Sequence, residues 1–211
     1  MPIARTLFLA CSALAQCSLA QPLPSIKLNA SGLTVSGISA GAFMAVQFEF
    51  AHAAVVRGAG IVAGGPYHCA GANGGFVAYA ACCELPTTIN VTALATYARH
   101  AAASGLIDPV EHLLHHTVHM FSGIIDAMVS HGTMIALAAL YTQLGVPTQS
   151  IFNVTAEHAW ITSMYGASCA TLAAPFINNC NIDFAGTFLA AAAAAAGRPW
   201  NTTIGRCVTN A

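Results

Sequence analysis

The residues with the clearest chemical potential lie in the run L-T-V-S-G-I-S-A-G at 33–41. A serine boxed between Gly37 and Gly41, directly after an apolar β-branched run, can be an ordinary turn. It can also be a nucleophile elbow, a strained strand-to-helix turn that lifts the hydroxyl above the end of a sheet. In that geometry both glycines would keep side chains away from the strand–helix junction. The free N–H groups at the helix start, Ala40 first, would face a developing oxyanion. G-x-S-x-G alone is only moderately specific, so its partners and its flanking elements must decide.

A serine hydroxyl is a weak nucleophile until a histidine takes its proton, and the histidine needs an acid to fix its tautomer. In α/β-hydrolases both partners follow the serine, on loops beyond later strands. The chain has three aspartates. Asp108 sits in L-I-D-P, a turn, and Asp183 comes late, in N-N-C-N-I-D. Asp126 falls five residues beyond a strand expected at 117–121, where the carboxyl edge of a sheet places functional groups. Of the nine histidines, His158 follows a strand in N-V-T-A-E-H-A-W, whereas His131 stands too close to the acid. Ser39, Asp126 and His158 are therefore the expected nucleophile, acid and base, and such chemistry requires no metal or organic cofactor.

The densest histidine cluster, His112, His115, His116 and His119, reads H-x-x-H-H-x-x-H. Histidines four apart on a helix can bind zinc. This segment runs into a strand that would split the set across faces, and no metalloprotease signature follows, so surface or half-buried histidines are expected and no metal site is assigned.

The elements that must position the serine are legible around it. Leu33–Val35 reads as a strand and 42–55 as a helix, with Phe43, Val46, Phe50 and Ala54 on one side. A buried strand follows at 60–64. Strand, helix, strand within some thirty residues is a βαβ unit, hence a parallel sheet. The alternation continues with the strand at 117–121, a helix over 134–144 carrying Leu137, Tyr141 and Leu144, a strand over 150–154 and a last helix over 184–196. The fold class is α/β.

Composition sets the outer bounds. The 211 residues suffice for one domain, 56% of them are hydrophobic and only 6% charged, and the net charge is −1. Scattered basic residues give no footprint for nucleic acid or an anionic membrane surface. Arg5, the apolar stretch 6–15 and Ser18-Leu-Ala20 read as a signal peptide over 1–20, cleaved before Gln21, with the catalytic domain over 21–211. Removing Cys11 and Cys17 leaves six cysteines, an even number that favours disulfides in a secreted chain. Asn29, Asn90, Asn153 and Asn201 head N-x-S/T sequons and are candidate glycan sites. No later stretch is long and apolar enough to span a membrane.

Several runs together resemble the extracellular poly(3-hydroxybutyrate) depolymerases, a circularly permuted branch of the α/β-hydrolase superfamily. They are V-S-G-I-S-A-G-A-F-M-A-V-Q, G-A-G-I-V-A-G-G-P-Y-H-C-A, F-S-G-I-I-D, A-E-H-A and A-P-F-I-N-N-C-N-I-D-F-A-G, in the family's order over roughly 33–190. The resemblance implies an α/β-hydrolase-like parallel sheet flanked by helices. It implies a secreted serine esterase acting on poly(3-hydroxybutyrate) or related short-chain hydroxyalkanoate esters, with Ser39, Asp126 and His158 in the roles above and the Ala40 N–H in the oxyanion hole. It also implies disulfides from Cys69 to Cys82 or Cys83 and from Cys169 to Cys180.

The family carries further strands and a His-Gly-Cys oxyanion segment after the last helix. This chain ends at Ala211 without that segment, so the expectation is a permuted and incomplete domain, truncated at its C-terminus. Ile124 and Ile125 also depart from the polar residues usual before the acid. A solid polyester would call for exposed apolar side chains near the site, for which Trp160 and Tyr67 are candidates, though a core role is the plainer reading of each. The competing readings are another secreted esterase of feruloyl or acetylxylan type, a scaffold that has lost catalysis and binds, and a histidine-rich metalloprotein.

Overall fold

The computed structural model describes residues 32–198, 200–201 and 206–207. The expected signal peptide and the Asn29 sequon lie outside them. Four parallel strands form the main sheet in the order β1-β2-β3-β4: β1 Leu33–Ile38, β2 Val56–Val62, β3 Thr117–Gly123 and β4 Thr148–Val154. Helix α1 (Ala40–Ala51) links β1 to β2. A helical lobe follows, made of α2 (Cys69–Asn73), α3 (Gly75–Tyr79), a π-helical turn at Ala80–Glu84, and α4 (Val91–Ala103). Helix α5 (His131–Gln143) links β3 to β4. Beyond β4 come a small parallel sheet of β5 (Trp160–Thr162), β6 (Ala167–Ser168) and β7 (Ile177–Asn179), then α6 (Phe184–Ala195) and a short antiparallel pair, β8 (Trp200–Asn201) with β9 (Arg206–Cys207).

Period-two alternation explains the layers. On β2 and β3, Ala59, Ile61, Val118 and Met120 join one core with Val46 and Phe50 of α1, Leu94 of α4 and Leu137 and Tyr141 of α5. Their neighbours Val62 and Phe121 pack on the other face with Phe184 of α6. Both central strands are thus buried on two faces, as parallel strands under crossover helices require. Gly60 is needed for this, because a Cβ there would come within 2.9 Å of the Phe188 ring.

The expected elements are present, with shifted limits. Helix α1 begins at Ala40, immediately after the serine, and β2 begins at Val56 and stops at Val62 because Ala63 turns to φ 48°. Helix α5 starts at His131, and β4 at Thr148, directly after Pro147. Asn90 is the exposed cap of α4, its side chain accepting the Ala93 N–H at 3.0 Å, and Asn153 is exposed on β4.

The histidine cluster does not converge. His112 and His115 lie exposed on a 3-10 turn (Val110–His115), whereas His116 and His119 are buried, contrary to the surface or half-buried placement expected from sequence. His116 sends Nδ1 to the Glu49 carboxylate at 2.9 Å and Nε2 to the Ala53 carbonyl at 3.0 Å, and Tyr141 donates to the same carboxylate. His119 points the opposite way, against Phe188 of α6, and neither ring nitrogen has a hydrogen-bond partner among the described residues.

Candidate active site

Three loops leave the carboxyl ends of β1, β3 and β4, so they open at one edge of the sheet. Ser39 stands between β1 and α1 with φ 57° and ψ −128°, a conformation that non-glycine residues rarely adopt, and its side chain does not cap the helix. Its N–H is held by the Val62 carbonyl at 3.0 Å, and its own carbonyl accepts from Ala42 and Phe43. The first two helical N–H groups, Ala40 and Gly41, have no partner among the described residues. A group placed above the serine would therefore meet unsatisfied donors at a helix N-terminus.

The two glycines of the motif differ. A Cβ on Gly37 would lie 2.4 Å from the Gly41 backbone, so Gly37 is required for the turn to close. Gly41 faces open space. The expectation that both prevent collision thus holds for Gly37 alone, because only its side-chain direction points into the junction.

Asp126 and His158 meet. His158 Nδ1 lies 3.1 and 2.9 Å from the two Asp126 carboxylate oxygens, with both side chains almost wholly buried. Oδ1 also accepts the N–H groups of Met128 (2.9 Å) and Val129 (2.8 Å), which fixes the carboxylate from below. The loops can approach because Gly123 lacks a side chain where its Cβ would strike the Ala156 carbonyl. Of the other aspartates, Asp108 accepts from the Ala54 N–H in the turn after α1, and Asp183 caps α6 by accepting from the Gly186 N–H. His131 pairs with Ser122 Oγ at 3.1 Å. Ser39 stands at the same sheet edge, and no hydrogen bond joins its hydroxyl to His158 among the described residues.

Glu157 was not singled out by sequence. Its Oε2 accepts both the Ala127 and His158 N–H groups at 3.1 Å, tying the acid loop to the base loop. Its position beside His158 in A-E-H-A was the available signal. The Cys169–Cys180 disulfide braces the same loop from behind, where the Cys169 carbonyl accepts the Glu157 N–H. The second disulfide pairs Cys69 with Cys82 and leaves Cys83 as a half-buried thiol whose pKa is raised by burial and by nearby Glu84.

A cavity of about 520 Å³ opens beside Ser39, lined by Ala40, Phe43 and Met44 of α1, by the π-helical turn and by Met128 and Val129 of the acid loop. Trp160 and Tyr67 do not form an exposed platform. Tyr67 is buried and stacked on Phe50, and Trp160 is half-buried, edge-on to Phe184. The exposed apolar side chains near Asp126 are instead Ile124, Ile125 and Met128, with Met44 on α1.

The parallel sheet, the strained serine turn and the carboxylate–imidazole pair define an α/β-hydrolase-like protein. Over 172 residues, 79% of this chain, it is 41% identical to a poly(3-hydroxybutyrate) depolymerase of Delftia acidovorans, covering 34% of that protein. It is 32% identical over 179 residues, 81% of this chain, to a polyhydroxybutyrate depolymerase of Talaromyces funiculosus, covering 50% of it. Two solved structures superpose on 80% of this chain and 53% of their own. A PHB depolymerase from Penicillium funiculosum does so with a TM-score of 0.70 and 29% identity. A serine-to-alanine variant of a PHB depolymerase, complexed with an R3HB trimer, does so with a TM-score of 0.71 and 28% identity. No protein-family model matches the chain. The chain is similar to poly(3-hydroxybutyrate) depolymerases over about four fifths of its length and spans half or less of the length of these two sequence relatives.

Proposed function

We propose that this chain is a secreted serine esterase that hydrolyses poly(3-hydroxybutyrate) or related short-chain hydroxyalkanoate esters, with residues 1–20 as its signal peptide. The observation that carries the reading is the buried Asp126–His158 pair at the sheet edge that also presents the strained Ser39. The relatives supply the substrate class, because the sequence and structural neighbours are PHB depolymerases. The exposed Ile124, Ile125, Met44 and Met128 offer an apolar rim suited to a polyester surface.

In this mechanism Asp126 accepts the Nδ1–H of His158, leaving Nε2 free to take the Ser39 proton. Ser39 Oγ attacks the ester carbonyl, and the tetrahedral oxyanion is stabilised by the Ala40 N–H at the start of α1. The proton held by His158 passes to the departing alcohol. Water, deprotonated by the same imidazole, then cleaves the acyl-enzyme and regenerates the serine. The test is hydrolysis of p-nitrophenyl butyrate together with labelling by a fluorophosphonate. Turnover and a serine adduct that both disappear in Ser39→Ala are expected. Labelling absent from the native chain would favour a binding protein on the same scaffold.

A further inference from the structure

The cavity beside Ser39 is mostly apolar, yet it contains a polar group that the mechanism does not use. His68 lies in its wall, half-buried, at φ 61° in the left-handed region. Strain of this kind persists only where surrounding contacts impose it. Three contacts do so. The imidazole stacks on Tyr97 with centroids 3.5 Å apart and planes 7° from parallel. Gly71 gives it room on the α2 side, where a Cβ would come within 2.4 Å of the ring. Its backbone N–H donates to Gln47 Oε1 at 3.1 Å. The ring is thus immobilised, and neither nitrogen has a hydrogen-bond partner among the described residues. Burial lowers its pKa, so near neutral pH it presents one N–H donor and one acceptor.

The position of Gln47 sets the scale. Ala40, Phe43, Met44 and Gln47 line one face of α1, and eight residues separate Gln47 from Ser39, about 12 Å along a helix axis. A hydroxyalkanoate repeat of four chain atoms, at about 1.5 Å per bond, reaches at most about 6 Å. The Gln47 amide turns back to donate to the Phe43 carbonyl at 3.4 Å, so the polar end of the cavity lies beyond one repeat, and within two, of the bond being cut.

We infer that His68 is a specificity residue whose imidazole N–H donates to an ester carbonyl of the hydroxyacyl chain two units from the scissile carbonyl, with Gln47 and Tyr97 holding the ring for that contact. The inference deepens the esterase reading and rests on it. Recognition here distinguishes an oligoester from a single-unit ester, which cannot span from Ser39 to His68.

The experiment uses the Ser39→Ala chain, which binds without turnover. It is titrated with the methyl ester of a 3-hydroxybutyrate trimer and, separately, with methyl 3-hydroxybutyrate, following the nitrogen-15 imidazole resonances by NMR and affinity by calorimetry. The trimer is expected to shift the His68 resonances and the single-unit ester to leave them in place. His68→Phe, which keeps the stack on Tyr97, is expected to weaken trimer binding about fivefold, the worth of one neutral hydrogen bond. Unmoved His68 resonances in a trimer complex, unchanged affinity in His68→Phe, or no trimer binding would each overturn the assignment. Failure of the esterase reading registers separately, as p-nitrophenyl acetate hydrolysis that is absent from the native chain or survives Ser39→Ala.

Discussion

At the scale of single residues, the proposed chemistry depends on keeping one imidazole in one orientation. Asp126 does this through its contact with Nδ1, so Asp126→Asn, which favours the wrong tautomer, is expected to lower kcat by about four orders of magnitude while leaving the melting temperature nearly unchanged. Steady-state kinetics beside thermal melting checks both halves. Glu157 acts one step further out, through two backbone N–H groups. Glu157→Ala should reduce kcat about tenfold with little change in KM, because it loosens the base rather than the substrate. A loss confined to KM would refute that role. Asp126 and His158, which the structure brings into contact, could be paired as candidates from sequence because few aspartates compete and chain order ranks the histidines. Glu157 and His68 could not. Each is placed by contacts with residues distant in the chain, Ala127 for one and Tyr97 for the other, and beyond the adjacency of Glu157 to His158 no local pattern announces them.

At the scale of elements, the turn from β1 into α1 is the most constrained junction. Gly37→Ala would drive a methyl group into the Gly41 backbone, which has no soft side chain to yield. It should destabilise the chain by about 1–3 kcal/mol and abolish ester hydrolysis, whereas Gly41→Ala, facing open space, should fold normally. Denaturant melts of the pair provide the comparison. The motif alone does not separate the two glycines, since spacing is symmetric and only the backbone path distinguishes them. Strand and helix identities were readable because the apolar periodicity is strong around Phe43–Phe50 and Leu137–Tyr141. Boundaries were not, because they depend on local events such as the positive φ of Ala63.

At the scale of the whole molecule, two buried histidines lie on opposite faces of the sheet, and one of them, His119, bears on the response to acid. His119 makes no side-chain hydrogen bond among the described residues, and burial lowers its pKa, with the nearby Gln149 side chain on β4 pulling weakly the other way. The unfolded chain takes up that proton near pH 6.5 and the folded chain only at lower pH. Stability is therefore retained above that value and falls as the pH drops below it. His119→Leu should flatten the decline, measured as the urea midpoint at pH 5 against pH 8, and an unchanged slope would exclude His119 as its source. On the opposite face, Glu49, His116 and Tyr141 tie α1 to α5. Glu49→Gln should destabilise by about 3 kcal/mol, since it leaves His116 and Tyr141 facing a weaker partner in a dry interior. From sequence, these histidines were indistinguishable from surface ones. A four-residue cluster shows charge and spacing but not which member turns inward.

Neither disulfide joins strands of the four-stranded sheet. One closes the lobe that walls the cavity and the other braces the strip behind His158. Dithiothreitol should therefore silence turnover at a concentration where circular dichroism still reports native helix and strand. Protein made in a reducing cytosol would emerge compact, soluble in appearance, and dull. Oxidation after synthesis would then act as a maturation step, switching on a scaffold already assembled.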